Sequence, residues 1–375
     1  MKNRFKNNEK ISHVSAIILI ISGFFALFII FYKSLFLINE NSKNKNLSLK
    51  NKLIIEHDFS WYKKQKKYIK NSKIIPVEFD SCIKQSENNL EAIKRHGILL
   101  INDNAKATIL VCHGFMSSKD DMHLLRIIFS DYNVMSFDFR AHGENCHNQN
   151  CTFGDDERYD VIGAVNFIKN HPLIKDKPLF AYGFSMGAVA IIMALNEIKD
   201  LFNGIILDCP FESTDNLVER AFERMKVNLY GFNISIPGGY LLKKYAYNMY
   251  LQEILKVLFK IFSRMDATRI STIIKKVSPK EAIKNVDIPL FLIGCHNDEK
   301  APPSAIREIY ENASLSVYKR LWISCGRRHF DSFFVNPEKY TYKLKSFLNT
   351  IMDKSFENKI KEKTKEDPCI YKIKN

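Results

Sequence analysis

The stretch that most restricts this chain is Gly183-Phe184-Ser185-Met186-Gly187, because of what flanks it. Ahead of it, Lys177-Pro178-Leu179-Phe180-Ala181-Tyr182 is short, apolar and bounded by a proline, and reads as a buried strand. Behind it, Ala188-Val189-Ala190-Ile191-Ile192-Met193-Ala194-Leu195 is an alanine-rich apolar run suited to a packed helix. A serine between two glycines at a strand-to-helix turn forms a nucleophile elbow. The turn is so tight that a larger side chain at either glycine would collide with neighbouring backbone. The serine hydroxyl is then held above the sheet, near helix amides that favour negative charge. The pentapeptide alone occurs in unrelated proteins, so the rest of the chain has to supply its partners.

Around the elbow, strand-like and helix-like segments alternate, which predicts an α/β fold with a mainly parallel sheet flanked by helices. Strands are expected at 107–112, 132–139, 179–182, 204–208, 289–294 and 316–323, and helices at 119–130, 157–170 and 340–352. The alternation breaks between 212 and 277. Helical patches there, a Pro237-Gly238-Gly239 turn and the apolar run 254–262 read as a helical cap insertion over the catalytic face.

The 375 residues are 46% hydrophobic and carry a net charge of +15. Much of the basic excess sits at the ends, with Lys2, Arg4, Lys6 and Lys10 opening the chain and Lys359, Lys361, Lys363, Lys365, Lys372 and Lys374 closing it. No interleaved basic and aromatic motif points to nucleic acid. An anionic membrane surface and plainly solvated tails are the two readings of this charge. Val14 to Tyr32 contains no charged side chain and is extended past Lys33 by Leu35-Phe36-Leu37-Ile38, enough for a helix to cross about 30 Å of hydrocarbon. A secretory signal peptide would have a shorter apolar core, about 7–15 residues, and a small-residue cleavage site, which is not found. The expected organisation is a basic N-terminus at 1–13, a single-pass transmembrane anchor at 14–38 and a linker at 39–73. The catalytic domain follows at 74–353, with its cap at about 212–277, then a charged tail at 354–375. Positive residues flank both ends of the anchor, so orientation stays open.

Eight cysteines are scattered along the chain. Cys112, Cys209 and Cys295 lie in or beside apolar strand-like runs, where cysteine serves as a small hydrophobe. Cys146 and Cys151 lie in a polar loop and could pair in an oxidising compartment. With His142 and His147 they could also be read as a metal site, but the spacing fits no zinc pattern and a free-thiol loop is expected.

Four separated motifs resemble the α/β-hydrolase superfamily, over residues of about 74–352. They are His113-Gly114-Phe115 after a strand, Asp138-Phe139-Arg140-Ala141-His142-Gly143 after the next, the elbow, and an acid followed by a histidine. Leu207-Asp208-Cys209-Pro210-Phe211 and Ser278-Pro279 are most similar to the membrane-anchored and bacterial Bem46-like branch. The resemblance implies Ser185 as nucleophile and the backbone amides of Phe115 and Met186 as oxyanion hole. Asp298 would be the acid, in the loop after Pro289-Leu290-Phe291-Leu292-Ile293-Gly294-Cys295, with Asp208 in reserve. His329, in Gly326-Arg327-Arg328-His329-Phe330, would be the base. The flanking arginines are unusual; they could disfavour histidine protonation or bind an anionic substrate.

The expected activity is hydrolysis of an ester or thioester, from a lipid-like or acylated small molecule, through an acyl-enzyme. No metal or organic cofactor is required. An acyltransferase or a peptidase/amidase would use the same triad, and a binding protein would use only the fold. The oligomeric state is not legible.

Overall fold

The computed structural model describes residues 73–86, 89–145, 149–223, 226–229, 232–235, 247–248, 250, 252–253, 270–353 and 365–366. The expected anchor at 14–38, the linker as far as residue 72 and most of the charged tail lie outside these residues. Among the described residues, no helix is long and apolar enough to cross a membrane.

The strands are, in chain order, β1 (Lys73–Ser86), β2 (Asn89–Ile101), β3 (Thr108–Cys112), β4 (Asn133–Phe137), β5 (Leu179–Phe184), β6 (Gly204–Asp208), β7 (Lys226–Leu229), β8 (Phe232–Ser235), β9 (Leu290–Cys295), β10 (Lys319–Ser324) and β11 (Lys365–Glu366). All but β7 and β8 form one sheet in the order β1-β2-β4-β3-β5-β6-β9-β10-β11. From β4 through β11 the pairings are parallel, and β2 runs antiparallel to both β1 and β4.

The helices are α1 (His123–Ile128), α2 (Glu157–Asn170), α3 (Met186–Glu197), α4 (Thr214–Glu223), α5 (Pro279–Ala282), α6 (Pro303–Asn312), α7 (Ser332–Val335) and α8 (Pro337–Met352). They cover the two faces of the sheet, and side-chain alternation along the strands supplies both layers. Leu110 and Cys112 of β3, Ala181 of β5 and Leu292 of β9 join α2, α3 and α6 in one core. Ile109 and Val111, Phe180 and Tyr182, and Phe291 and Ile293 point the other way, against α1 and α8. This two-sided burial explains why the central strands read as continuous apolar runs.

The long β1–β2 hairpin was not visible in the sequence. As an edge pair it is built from polar alternation, with Lys94 reaching Asp80 at 2.8 Å across the strands. The expected helix at 119–130 begins instead as a 3-10 turn (Asp120–Met122) before α1. The insertion is not purely helical. Its described part holds α4 and then the antiparallel hairpin β7–β8. Within the tail, β11 lies parallel to β10, pairing Trp322 with Lys365.

A buried ionic cluster fastens this edge to the body. Asp160, on α2, accepts from Ser81 Oγ at 2.6 Å, Arg95 Nε at 2.8 Å and Arg140 Nη2 at 2.8 Å, all on Oδ1. Its Oδ2 takes the Arg140 amide and Nε, both at 3.0 Å. Burial opposes charge on this carboxylate, but the Arg140 and Arg95 guanidiniums overcome it and hold its pKa well below the usual range. Its stabilisation is therefore present above the unfolded carboxylate pKa of about 3.9 and is lost as pH falls through the lower folded value. Asp160→Asn leaves two buried guanidiniums undercompensated and should destabilise the domain by about 3–5 kcal/mol at neutral pH, measured by denaturant unfolding.

Candidate active site

Strand order reverses about β3: the chain steps from β3 outward to β4 and then back across to β5 on the other side. In open α/β sheets, ligands bind at such a switch point, outside the carboxyl ends of the strands. Here the loops leaving β3 and β5 carry His113-Gly114-Phe115 and Ser185.

Ser185 occupies the single position between β5 and α3, with φ 51° and ψ −115°. A non-glycine residue held there carries strain of about 1–3 kcal/mol. Its amide donates to the Asp208 carbonyl at 2.8 Å, which fixes the turn against β6. The two glycines do the steric work their positions predicted. A Cβ on Gly183 would lie 2.6 Å from the nitrogen and Cα of Ala188, and one on Gly187 only 2.3 Å from the Cys112 carbonyl oxygen. Met186 opens α3, so its amide is among the first-turn donors that have no carbonyl partner within the helix.

The loop carrying Phe115 is held by two histidines whose roles the sequence did not reveal. His113 is fully buried, with Nδ1 2.8 Å from the Gly114 carbonyl and Nε2 accepting from the Phe139 amide at 3.0 Å. The acceptor role at Nε2 puts the proton on Nδ1. Burial, then the neighbouring His142, push the His113 pKa down to about 3. His142 likewise accepts the Met116 amide on Nε2 at 3.2 Å, with Nδ1 2.8 Å from the Arg140 carbonyl. The Asp138-to-Gly143 loop thus acts as a frame for the β3 loop. Asp138 itself accepts from the Lys119 amide at 2.7 Å and from Lys119 Nζ at 2.8 Å.

Asp298 and His329 leave the carboxyl ends of the adjacent strands β9 and β10 and meet with Nδ1 and Oδ2 2.6 Å apart. The carboxylate is buried, and the His329 side chain keeps 17% exposure. Burial opposes the charge on Asp298. The hydrogen bond from His329 and the amides of Ala301 and Lys300 hold its pKa below the ordinary value. The reserve acid, Asp208, is engaged elsewhere: Tyr182 and Tyr340 donate to its Oδ2 at 2.9 and 2.6 Å. Arg327 and Arg328 are exposed, and the Arg327 amide donates to Asp331 at 2.8 Å.

Phe184, directly before Ser185, packs its ring 4.9 Å from that of His329 and 4.6 Å from that of Phe330. The elbow and the histidine loop are therefore neighbours. On the opposite side Phe115 lies 4.9 Å from Phe153. Phe153 is held at positive φ by Glu157, whose carboxylate accepts the amides of Thr152 and Gly154. Cys151 is a free, buried thiol whose sulfur lies 3.4 Å from that of Met186, so a Cys146–Cys151 disulfide is not formed. Cys146 and His147 lie outside the described residues, and His142 is committed to the frame just described. Cys325, at the start of the His329 loop, is disulfide-bonded.

This sheet, the elbow and the loops at the strand ends define an α/β hydrolase. Residues 103–329 match the family described as serine aminopeptidase, S33, and the chain belongs to that family. It is 25% identical over 258 residues to the uncharacterized protein YqkD of Bacillus subtilis, covering 66% of this chain and 72% of that one. Among solved structures, the Pyrococcus furiosus esterase Pf2001 superposes with a TM-score of 0.54 at 24% identity, over 75% of this chain and 93% of that one. The peroxisomal α/β hydrolase Lpx1 of Saccharomyces cerevisiae gives 0.51 at 12%, over 78% and 100%. At these identities the structural likeness establishes the fold.

Two outcomes follow from the packing and the buried rings. Gly187→Ala should lower the yield of folded protein and its denaturant midpoint, because the new methyl meets backbone carbonyls rather than a movable side chain. His113 binds a proton more weakly folded than unfolded, so its contribution is complete above pH of about 6.5 and is lost toward pH 3. From this ring alone, stability should fall by about 1.4 kcal/mol per pH unit in that window. Urea unfolding at pH 7 and pH 5 should show a steeper loss of stability in the wild type than in His113→Asn, the difference approaching about 1.4 kcal/mol per pH unit.

Proposed function

We propose that the chain is a serine hydrolase that cleaves an ester or thioester through an acyl-enzyme. The observation that carries this reading is the 2.6 Å Asp298–His329 pair beside an elbow serine held at positive φ. In this reading Ser185 Oγ attacks the acyl carbon while Nε2 of His329 takes its proton. Asp298 holds the proton on Nδ1, which fixes the tautomer and stabilises the imidazolium. The amides of Phe115 and Met186 receive the negative charge that develops on the carbonyl oxygen. His329 then returns the proton to the leaving group, and water releases the acyl group by the same steps.

Phe115, Phe153, Phe184 and Phe330 give the surroundings of Ser185 an aromatic character that suits an apolar acyl group. Together with an anchor at 14–38, this favours a lipid-like or acylated substrate presented near a membrane, as a Bem46-like hydrolase would meet it. Amide cleavage is the second reading, favoured by the peptidase description of the family. The same triad serves it when the leaving amine is protonated in time.

The test is labelling of the full chain with a fluorophosphonate probe, followed by turnover of matched aryl ester, thioester and anilide substrates. The wild type should label, and Ser185→Ala and His329→Ala should not. Asp298→Asn should lower kcat on the order of 10⁴-fold. A folded wild type that neither labels nor turns over any of the three overturns the proposal, and faster anilide than ester turnover selects the amidase reading.

A further inference from the structure

We propose that Cys209, Asp298 and His329 form a latent site for a thiophilic divalent cation, with zinc the best fit, whose binding switches the hydrolase off. The site rests on the present geometry; its inhibitory effect rests also on the serine-hydrolase reading above. The sulfur of Cys209, a carboxylate oxygen of Asp298 and a ring nitrogen of His329 all lie within 4.8 Å of one another. In the sequence Cys209 reads as a small hydrophobe at a strand end. The fold instead carries it to the catalytic acid: its amide donates to the Ile293 carbonyl at 2.9 Å, which pins the residue against β9 at φ 52°.

The donor set is selective. One thiol, one imidazole and one carboxylate suit tetrahedral zinc with a fourth position left to water, whereas calcium and magnesium require oxygen-rich shells. Zinc–ligand bonds of about 2.0–2.3 Å put neighbouring ligand atoms about 3.3–3.8 Å apart. The three donors therefore need shifts of only about an ångström, the main one being the opening of the His329–Asp298 hydrogen bond. The surroundings also favour a cation. Asp208, the residue before Cys209, is buried and hydrogen-bonded to the Cys209 thiol, which sets a carboxylate beside the proposed ligand. A second thiol, Cys295, is hydrogen-bonded to Cys209 and lies 3.2 Å from Ser332 Oγ.

Inhibition would operate through the tautomer. Catalysis needs the proton on Nδ1 and the lone pair on Nε2. A cation on Nδ1 displaces the proton from that nitrogen and takes its lone pair; the neutral ring then carries its one proton on Nε2, facing Ser185, and can no longer act as a base. The thiol proton leaves to solvent and Asp298 is already ionised, so one proton is released per cation bound.

The experiment is a Co²⁺ titration of the full chain, read by thiolate-to-cobalt charge-transfer absorption, alongside Zn²⁺ titration of fluorophosphonate labelling. The expected result is one cobalt per chain with the thiolate band, and loss of labelling with zinc that a chelator restores. Cys209→Ser, scored against its own metal-free labelling, should lose the band and weaken zinc inhibition on the order of 100-fold. His329→Ala, in a partly exposed loop, should also weaken cobalt binding and tests the site should Cys209→Ser fail to fold. A band or inhibition unchanged in Cys209→Ser, loss of the band only in Cys295→Ser, cobalt affinity unchanged in His329→Ala, or no response of the wild type to either metal overturns the proposal. A Cys209-dependent cobalt band in a chain that never labels would keep the metal site and discard the hydrolase reading.

Discussion

The approach of α3 to the end of β3 is the contact from which the candidate site is assembled. With no side chain at Gly187, the helix start closes to within van der Waals reach of the Cys112 and His113 carbonyls. That closeness brings the Met186 amide beside the loop that carries Phe115, and it forces Ser185 into its left-handed conformation. Two backbone donors and one hydroxyl thus gain their positions from a single packing event between one helix and one strand. The side chains of His113 and His142 then hold the Phe115 loop in that place.

Electrostatics then keep that assembly in one protonation state. The two histidines framing the β3 loop each accept a backbone amide through Nε2, and burial keeps both disinclined to charge. The Asp298–His329 pair sits in contrast at a partly open position, with the ring partly exposed and the carboxylate buried. Burial thus separates the two framing histidines from the partly exposed His329.

Legibility followed the physics of burial. The central strands are apolar on both faces, so β3, β5, β6 and β9 stood out in the sequence within a residue or two. The candidate acid and base were legible because each follows such a strand. The β1–β2 edge was not, because its alternation of Lys94, Asp80 and Glu78 with half-buried residues has no apolar run to mark it. The hairpin β7–β8 was missed for a related reason: four-residue strands in a polar insertion leave little periodic signal. The framing roles of His113 and His142 depend on amides of residues distant in sequence. Cys209 shows the limit most clearly, since a buried thiol next to an acid is indistinguishable in sequence from a small hydrophobe.

The carboxylate of Asp160 couples two regions usually considered separately. Ser81 of the edge strand and Arg140 of the loop that frames the β3 loop share the same oxygen of this group, and Arg140 also reaches the Cys82 carbonyl at 3.0 Å. The edge strand can fray from its far end, but it cannot detach past Ser81 without wetting a buried charge cluster. Peeling therefore becomes all-or-none at that point, and a pull applied to the chain ahead of β1 would be felt in the frame around Phe115 before it was felt in the core.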